Sequence, residues 1–344
     1  MLEPPDLHET AISACLGAAY GLSIAEIVFL PLGADPDTAV YRAAASDGRA
    51  YFLKLRRGHF PEASVSIPYW LAQSGMRQLI APIAARATGA LSAPLAPFTA
   101  ILYPFISGES GWDVALSPRQ WAEFGASLRQ LHAAAPPPAL LATVPHETYT
   151  PAWRQLLAAF LQQAAEQPFA DPVAAEFARL LVAQQRTIRQ LIARAEQLAG
   201  MLRRQPPDLC LCHGDIHAGN LLIDATGQLY LVDWDTLVLA PKEHDLMYIG
   251  AGIGGIWNSD AEAAQFYAGY GPAAISPAAL AYYRYERIVQ DIAVSCQQLL
   301  ASAAGGDDRP VVLRQIAGQF APGNVVAVAI ATDQRAFGQA DIVS

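Results

Sequence analysis

Cys212-His213-Gly214-Asp215-Ile216-His217-Ala218-Gly219-Asn220, followed thirteen positions later by Asp233-Trp234-Asp235, is the stretch on which the reading of this chain turns. Asp215 leaves the apolar run Leu209 to Cys212 on a turn, where a carboxylate can accept a hydrogen bond from a hydroxyl and act as a general base. Asn220 and Asp233 offer hard oxygens of the kind Mg²⁺ takes, an ion that keeps few protein ligands and fills its octahedron with water and phosphate oxygens. Between them, Leu221-Leu222-Ile223 and Leu229-Tyr230-Leu231-Val232 read as short strands joined by the turn Asp224-Ala225-Thr226-Gly227. Such a hairpin returns Asn220 and Asp233 to one end. Taken singly, each residue would pass for an ordinary turn cap or strand end. Together, at this spacing, they form the base-and-ion set of phosphoryl transfer.

Lysine usage points the same way. Of 22 basic residues only Lys54 and Lys242 are lysines. Lys54 stands in the alternating run Arg49-Ala50-Tyr51-Phe52-Leu53-Lys54-Leu55, behind a hairpin turn at Asp47-Gly48. A compact ammonium on a central strand suits nucleotide phosphates, although a solvent-facing strand lysine would look the same. Upstream, Leu32 to Thr38 joins two strand-like runs and is expected to cover the phosphates with a turn at Gly33; with one glycine it is weak as a motif. Glu62, at the start of the helical stretch Pro61 to Gln73, is the expected carboxylate partner of Lys54. An acid there also suits the helix dipole.

These residues resemble the aminoglycoside phosphotransferase family, small-molecule kinases with a protein-kinase-like fold, and the resemblance covers nearly the whole chain. By that resemblance Asp215 is the catalytic base, Asn220 and Asp233 bind Mg²⁺, and Lys54 binds the phosphates of ATP. Leu102-Tyr103-Pro104-Phe105-Ile106 is then the hinge whose backbone meets adenine. Gly33-Ala34-Asp35, Tyr103 to Ile106, the Asp215 loop, Ala240-Pro241-Lys242-Glu243 and Arg284 to Val289 look like the spectinomycin-phosphorylating branch of the family. Gly214 stands where protein kinases carry arginine, and Trp234-Asp235 replaces the Phe-Gly of their metal motif, so control by activation-loop phosphorylation is not expected.

The resemblance implies an α+β, bilobal fold. Residues 1–105 would form an N-terminal lobe with a small antiparallel sheet, and 106–344 a mainly helical C-terminal lobe with the catalytic loop and the short hairpin. Periodicity fills in the elements. A helix over 6–20 is capped by Asp6 and ended by Gly21, and strands run at 24–30, 38–45, 50–55 and 98–106. A helix opens at Ser117-Pro118, further helices span about 151–167 and 172–201, and another opens at Ser276-Pro277. The last dozen residues are expected to fray. Gly250, Gly252, Gly254 and Gly255 are not followed by Gly-Lys-Ser/Thr, so they are read as close helix approach rather than a phosphate loop.

Length and composition suit about two domains with substantial cores. At 344 residues the chain is 53% hydrophobic, 15% charged and carries a net charge of −9. No basic footprint invites nucleic acid, and no long apolar run invites a membrane, so a cytoplasmic location is expected. The four cysteines do not form a disulfide framework in so long a chain. Cys210 and Cys212 share a strand face beside His213 and His217, a cramped spacing for zinc and better read as buried thiols with loop-ordering histidines.

The acidic balance is compatible with a small, cationic, hydroxylated substrate. Asp235, Glu243, Asp245, Glu286 and Asp291, with Glu109 and Asp113 beyond the hinge, are the candidate acids; Asp245 alternatively braces the catalytic loop. Trp257, Tyr282, Tyr283 and Tyr285 are candidate pocket walls or simply core. Three functions remain open: a kinase for an aminocyclitol antibiotic such as spectinomycin, a metabolic kinase for choline, homoserine or a thioribose, and a non-catalytic nucleotide-binding protein.

Overall fold

The computed structural model describes residues 4–33, 35, 37–58, 60–302 and 305–338. In chain order the elements are α1 (Glu9–Tyr20), β1 (Ile24–Leu30), β2 (Thr38–Ala45), β3 (Ala50–Arg57), α2 (Ala63–Gln73), β4 (Ala93–Leu95), β5 (Phe98–Pro104), β6 (Gly108–Ser110) and α3 (Pro118–His132). They continue with α4 (Pro138–Leu141), α5 (Ala152–Glu166), α6 (Pro172–Ala183), α7 (Gln185–Arg204), β7 (Cys210–Cys212), β8 (Leu221–Asp224), β9 (Leu229–Leu231) and β10 (Val238–Ala240). The remaining helices are α8 (Glu243–Leu246), α9 (Asp260–Tyr270), α10 (Pro277–Leu300), α11 (Arg309–Gln319) and α12 (Val325–Phe337). Two compact units result: Met1–Gln120 with Ala134–Pro145 and Ala218–Leu237, and Trp121–Ala133 with His146–His217 and Val238–Ser344.

The first unit is built on a five-stranded antiparallel sheet ordered β1-β2-β3-β5-β4. Alternation decides its faces. Tyr51, Leu53 and Leu55 of β3 point into a core with Ile12, Leu16 and Tyr20 of α1, so Phe52, Lys54 and Arg56 take the other face. α1 starts later than the sequence suggests. A turn in which Leu7 N–H donates to the Pro5 carbonyl (2.7 Å) precedes it, so His8 rather than Asp6 supplies the cap, accepting from the Thr10 amide. The same unit holds the three-stranded sheet β6-β8-β9, in which Leu221 pairs with Leu231 and closes the expected hairpin.

The second unit is helical, with one small sheet, β7 antiparallel to β10. The stretch expected as one helix over 172–201 is two, because Gln184 leaves helical geometry (φ −95°, ψ 5°) between α6 and α7. The four glycines at 250–255 all have positive φ, between 64° and 81°, and serve a tight turn. Close helix approach is instead found at Gly125 and Gly269: a Cβ on either would lie 2.0 Å or less from a backbone oxygen of the facing helix.

Of the last dozen residues, expected to fray, 339–344 lie outside the described residues, but Asp333 is fully buried in α12. It accepts from Arg194 Nε (2.8 Å) and Nη2 (2.9 Å) on α7 and from the Tyr285 hydroxyl (3.1 Å) on α10. Removing one partner of such a pair strands the other charge in the core. Asp333→Ala should therefore lower stability by about 3 kcal/mol, read as a drop in the urea midpoint. An unchanged midpoint would show that the buried Asp333–Arg194 pair contributes nothing to the fold.

Candidate active site

In the first unit the sheet and the β8–β9 hairpin bring charged side chains together. Asn220 ends a single turn of 3₁₀ helix at the foot of β8, and its carbonyl accepts from the Val232 amide at 3.0 Å, so Asn220 and Asp233 share one end of the hairpin. Asp233 has φ 62° and ψ 72°, left-handed backbone that a non-glycine residue seldom adopts and that marks functional sites. Its Oδ1 lies 2.9 Å from Lys54 Nζ, and Asp235 Oδ2 lies 2.7 Å from the same ammonium. Burial would strip the proton from Lys54, but the two carboxylates outweigh it and raise the pKa above the ordinary lysine value. Arg56 Nη1 bonds Asp235 (2.8 Å), Asp35 (2.6 Å) and the Thr38 hydroxyl (2.6 Å), tying in the loop that follows Gly33 (φ 86°). Ala34 and Pro36 of that loop lie outside the described residues.

Several expectations change here. Lys54 pairs with Asp233 and Asp235; Glu62 opens α2 without a side-chain cap bond and makes no ion pair with Lys54 among the described residues. Asp235, a candidate substrate acid, is instead engaged by two cations. The stretch expected as the hinge is held largely by strand pairing. Phe52 faces Tyr103, Leu53 faces Leu102 and Lys54 faces Ile101, with Leu102 buried and Phe105 N–H bonded to the Ala50 carbonyl at 3.2 Å. Asn220 and Asp233 together present an amide and a half-exposed carboxylate, a hard-oxygen set that fits Mg²⁺.

Asp215 belongs to the second unit. The loop after β7 is held by Asp245, whose fully buried carboxylate accepts the backbone N–H of His213 (2.8 Å) and of Gly214 (2.9 Å). Gly214 has φ 89°, which is why a glycine and not an arginine stands there. His132 Nε2 lies 3.0 Å from Asp245 Oδ2, and its Nδ1 lies 2.7 Å from the Tyr270 hydroxyl. Burial alone would raise the Asp245 carboxyl, yet its bond to His132 and the surrounding imidazoles bring it below the ordinary range. The thiols of Cys210 and Cys212 lie near His132, rather than forming a cluster with His213 and His217. With both ring nitrogens of His132 engaged, the trio reads as packed core.

Asp215 Oδ1 accepts from Arg287 Nη1 (2.5 Å) and the Tyr248 hydroxyl (2.9 Å), while Oδ2 lies 3.6 Å from His217 Nε2. Burial works against the charge, but His217 and Arg287 hold the carboxyl well below the usual range. Beside this carboxylate is a cavity of about 140 Å³ lined by Gly214, Arg287, Glu147, Glu286, Trp153, Tyr282 and Tyr283, among others. Glu286 is paired with the buried Arg154, yet burial and the neighbouring Glu147 and Glu196 push it up to about 7. A larger hollow, about 460 Å³ between α5 and α7, lacks converging carboxylates.

Of the candidate substrate residues, Glu286 lines the cavity. Glu243 is buried and accepts from the Ser276 amide and Lys242, and Trp257 packs in the core 5.1 Å from Trp121 and 5.6 Å from Phe124. Glu147, Trp153, Tyr248 and Arg287 were not singled out. The signal for Arg287 was available: Arg284, Arg287 and Asp291 recur at i, i+3 and i+7 on one face of the helix.

The profile described as the phosphotransferase enzyme family (APH) matches residues 26–283. A spectinomycin phosphotransferase crystallised with ADP and spectinomycin is 35% identical over 96% of this chain and 100% of its own, with a TM-score of 0.88. Its AMP-bound form matches 94% of this chain and 99% of its own at 35% identity and a TM-score of 0.84. The choline kinase LicA of Streptococcus pneumoniae shares the fold at 14% identity, over 90% of this chain and 97% of its own, with a TM-score of 0.56. No curated protein sequence matches significantly. The fold is thus protein-kinase-like, as the resemblance implied. No helix among the described residues is long and apolar enough to cross a membrane.

Because the folded pKa of Asp245 is depressed, its stabilisation is present above the unfolded value of about 4 and is lost as pH falls through the folded value. Asp245→Asn should lower stability at pH 7 by about 2–3 kcal/mol and flatten the decline on the acid side, measured by urea unfolding from pH 7 to pH 3. A variant with the wild-type acid slope would remove Asp245 from the brace.

Proposed function

We propose that the chain, which belongs to the phosphotransferase enzyme family and is a small-molecule kinase, transfers the γ-phosphoryl group of ATP to a hydroxyl of a cationic aminocyclitol antibiotic, with spectinomycin the first candidate. The observation that carries this reading is the cavity beside Asp215, whose lining includes Glu147 and Glu286 together with Trp153, Tyr282 and Tyr283. Two carboxylates suit a substrate with more than one ammonium. The 35% identity to a protein crystallised with spectinomycin supports the same class.

In this mechanism Asp215 accepts the hydrogen bond of the acceptor hydroxyl and orients its oxygen; the acceptor O–Pγ bond forms as the bond from Pγ to the β,γ-bridging oxygen breaks, ADP leaves with that oxygen, and the hydroxyl proton passes by way of Asp215 to solvent. Lys54 offers its ammonium to the nucleotide phosphates, and the backbone of Leu102 to Ile106 offers hydrogen bonds to adenine. Asn220 and Asp233 would hold Mg²⁺, which neutralises charge on the phosphates. The aromatic wall also favours a second reading, a choline-type substrate held by cation–π contact, within the same chemistry.

The test is magnesium-dependent ADP release from ATP with spectinomycin, streptomycin, kanamycin, choline and homoserine supplied separately. Turnover with spectinomycin should fall about 10²–10⁴-fold in Asp215→Asn; turnover with choline alone would favour the second reading. Glu286 loses its proton as pH rises through about 7, and the carboxylate form is the one that attracts an ammonium. The KM for spectinomycin should therefore fall between pH 6 and pH 8, and Glu286→Gln should raise KM and remove that trend. A pH-independent KM in the wild type would remove Glu286 from the acceptor site.

A further inference from the structure

We propose that Arg287 is a positioning residue for the phosphoryl transfer: with the Tyr248 hydroxyl it clamps one carboxylate oxygen of Asp215 and so fixes the direction in which that carboxylate faces the acceptor. The proposal rests on the reading of Asp215 as the base. Its geometry is independent of that reading. Arg287 Nη1 donates to Asp215 Oδ1 at 2.5 Å and lies 2.7 Å from the Tyr248 hydroxyl, which itself donates to the same Oδ1 at 2.9 Å. Two donors meeting at one oxygen, and bonded to each other, with His217 beside the second oxygen, hold the carboxylate of this loop residue in one orientation.

Both members of the clamp are themselves held. Arg287 Nε pairs with Asp291 Oδ1 at 2.8 Å one turn along α10, and Asp291 Oδ2 accepts from Gln319 Nε2 at 3.3 Å. Tyr248 is fully buried in the segment following α8, and Arg284, also on α10, donates to the carbonyls on either side of it, Met247 (3.1 Å) and Ile249 (2.6 Å). One helix therefore places the cation and secures the segment that places the hydroxyl. Arg287 also lines the acceptor cavity, so the clamp stands in its wall.

The arrangement has a chemical cost and a gain. An arginine on a general base weakens it as a proton acceptor, which matters little where the base orients the hydroxyl more than it removes the proton. The gain is a carboxylate that stays charged far into acid. The groups facing Asp215 are His213 and His217 of its own loop, His244 and Tyr248 from α8 and the segment after it, and Arg287 and Asp291 from α10. Arg287 and His217 are the ones that depress it, and only Arg287 is a permanent cation.

The experiment compares the wild type with Arg287→Gln, Arg287→Lys and Asp215→Asn, using Mg-ATP and spectinomycin across pH 4–9. Arg287→Gln should lower kcat about 10- to 100-fold, leave the KM for ATP unchanged and move the acid limb of kcat upward. Arg287→Lys should restore the acid limb while recovering kcat only in part, since a lysine keeps the charge without the fork. An acceptor-free readout accompanies the kinetics: ¹³C NMR of labelled aspartate, with the Asp215 carboxyl identified by its loss in Asp215→Asn. Its titration should move toward about 4 in Arg287→Gln. A wild-type kcat, acid limb and Asp215 titration in Arg287→Gln, beside an inactive Asp215→Asn, would overturn the clamp alone. Full turnover by Asp215→Asn would overturn the base reading and the proposal with it.

Discussion

The catalytic-type loop depends on one buried carboxylate. Asp245 accepts the amides of His213 and Gly214 and has no exposure to water, so its charge is balanced only by what the protein brings to it. Those two amides belong to a turn with positive φ at Gly214, a conformation that neither helix nor sheet hydrogen bonding would hold. The carboxylate supplies the missing acceptors, and His132, fixed in turn by Tyr270, orients the carboxylate. Satisfying these buried polar groups fixes the path of the chain at the residue before Asp215. Where Asp215 starts is thus set by backbone chemistry; where its side chain points is set separately, from α10.

That division explains the character of α10. Thirteen of its 24 residues are buried in the second unit, yet it carries Arg284, Glu286, Arg287 and Asp291, costly groups to bury unless each is partnered. Each is. Arg284 meets two carbonyls and the Thr332 hydroxyl, Glu286 meets Arg154, and Arg287 meets Asp215 and Asp291. A helix selected only for packing would carry apolar residues here and gain stability. The charged set is concentrated on the stretch that faces the cavity and the Asp215 loop.

Much of the fold was legible because local rules and tertiary structure agree. β1 and β2 fall at the expected residues, Gly21 ends α1 in the left-handed conformation, and Ser117 and Gln120 exchange capping bonds at the start of α3. Where local signals conflict, sequence reading fails for a physical reason. Asp6 is a better cap by type than His8, but the turn at Pro5 excludes it from the helix end. The three-residue β4 has too little periodicity to be seen, and exists because β5 offers it an edge. Trp257 and Glu243 carry chemistry by type and packing by position. Arg287 is the reverse case, a residue whose partner lies 72 positions upstream and whose role only the fold displays.

Two aspartates of the first unit, Asp233 and Asp235, look interchangeable on paper, both lying within reach of one lysine. Their surroundings separate them. Asp235 is held by Lys54 and by Arg56, and Arg56 is anchored again to Asp35 and Thr38; a quarter of its side chain is exposed. Asp233 has Lys54 as its ion-pair partner, half its side chain is exposed, and its strained backbone turns it outward at the end of the hairpin beside Asn220. Moving a carboxylate from one cation to another costs least where one bond is broken and water already reaches the group. Asp233 meets both conditions better than Asp235, which is tied to two cations and half as exposed. Asp235 is therefore the fixed counter-charge of Lys54, and Asp233 is the carboxylate that the proposed mechanism would free from the lysine to hold Mg²⁺.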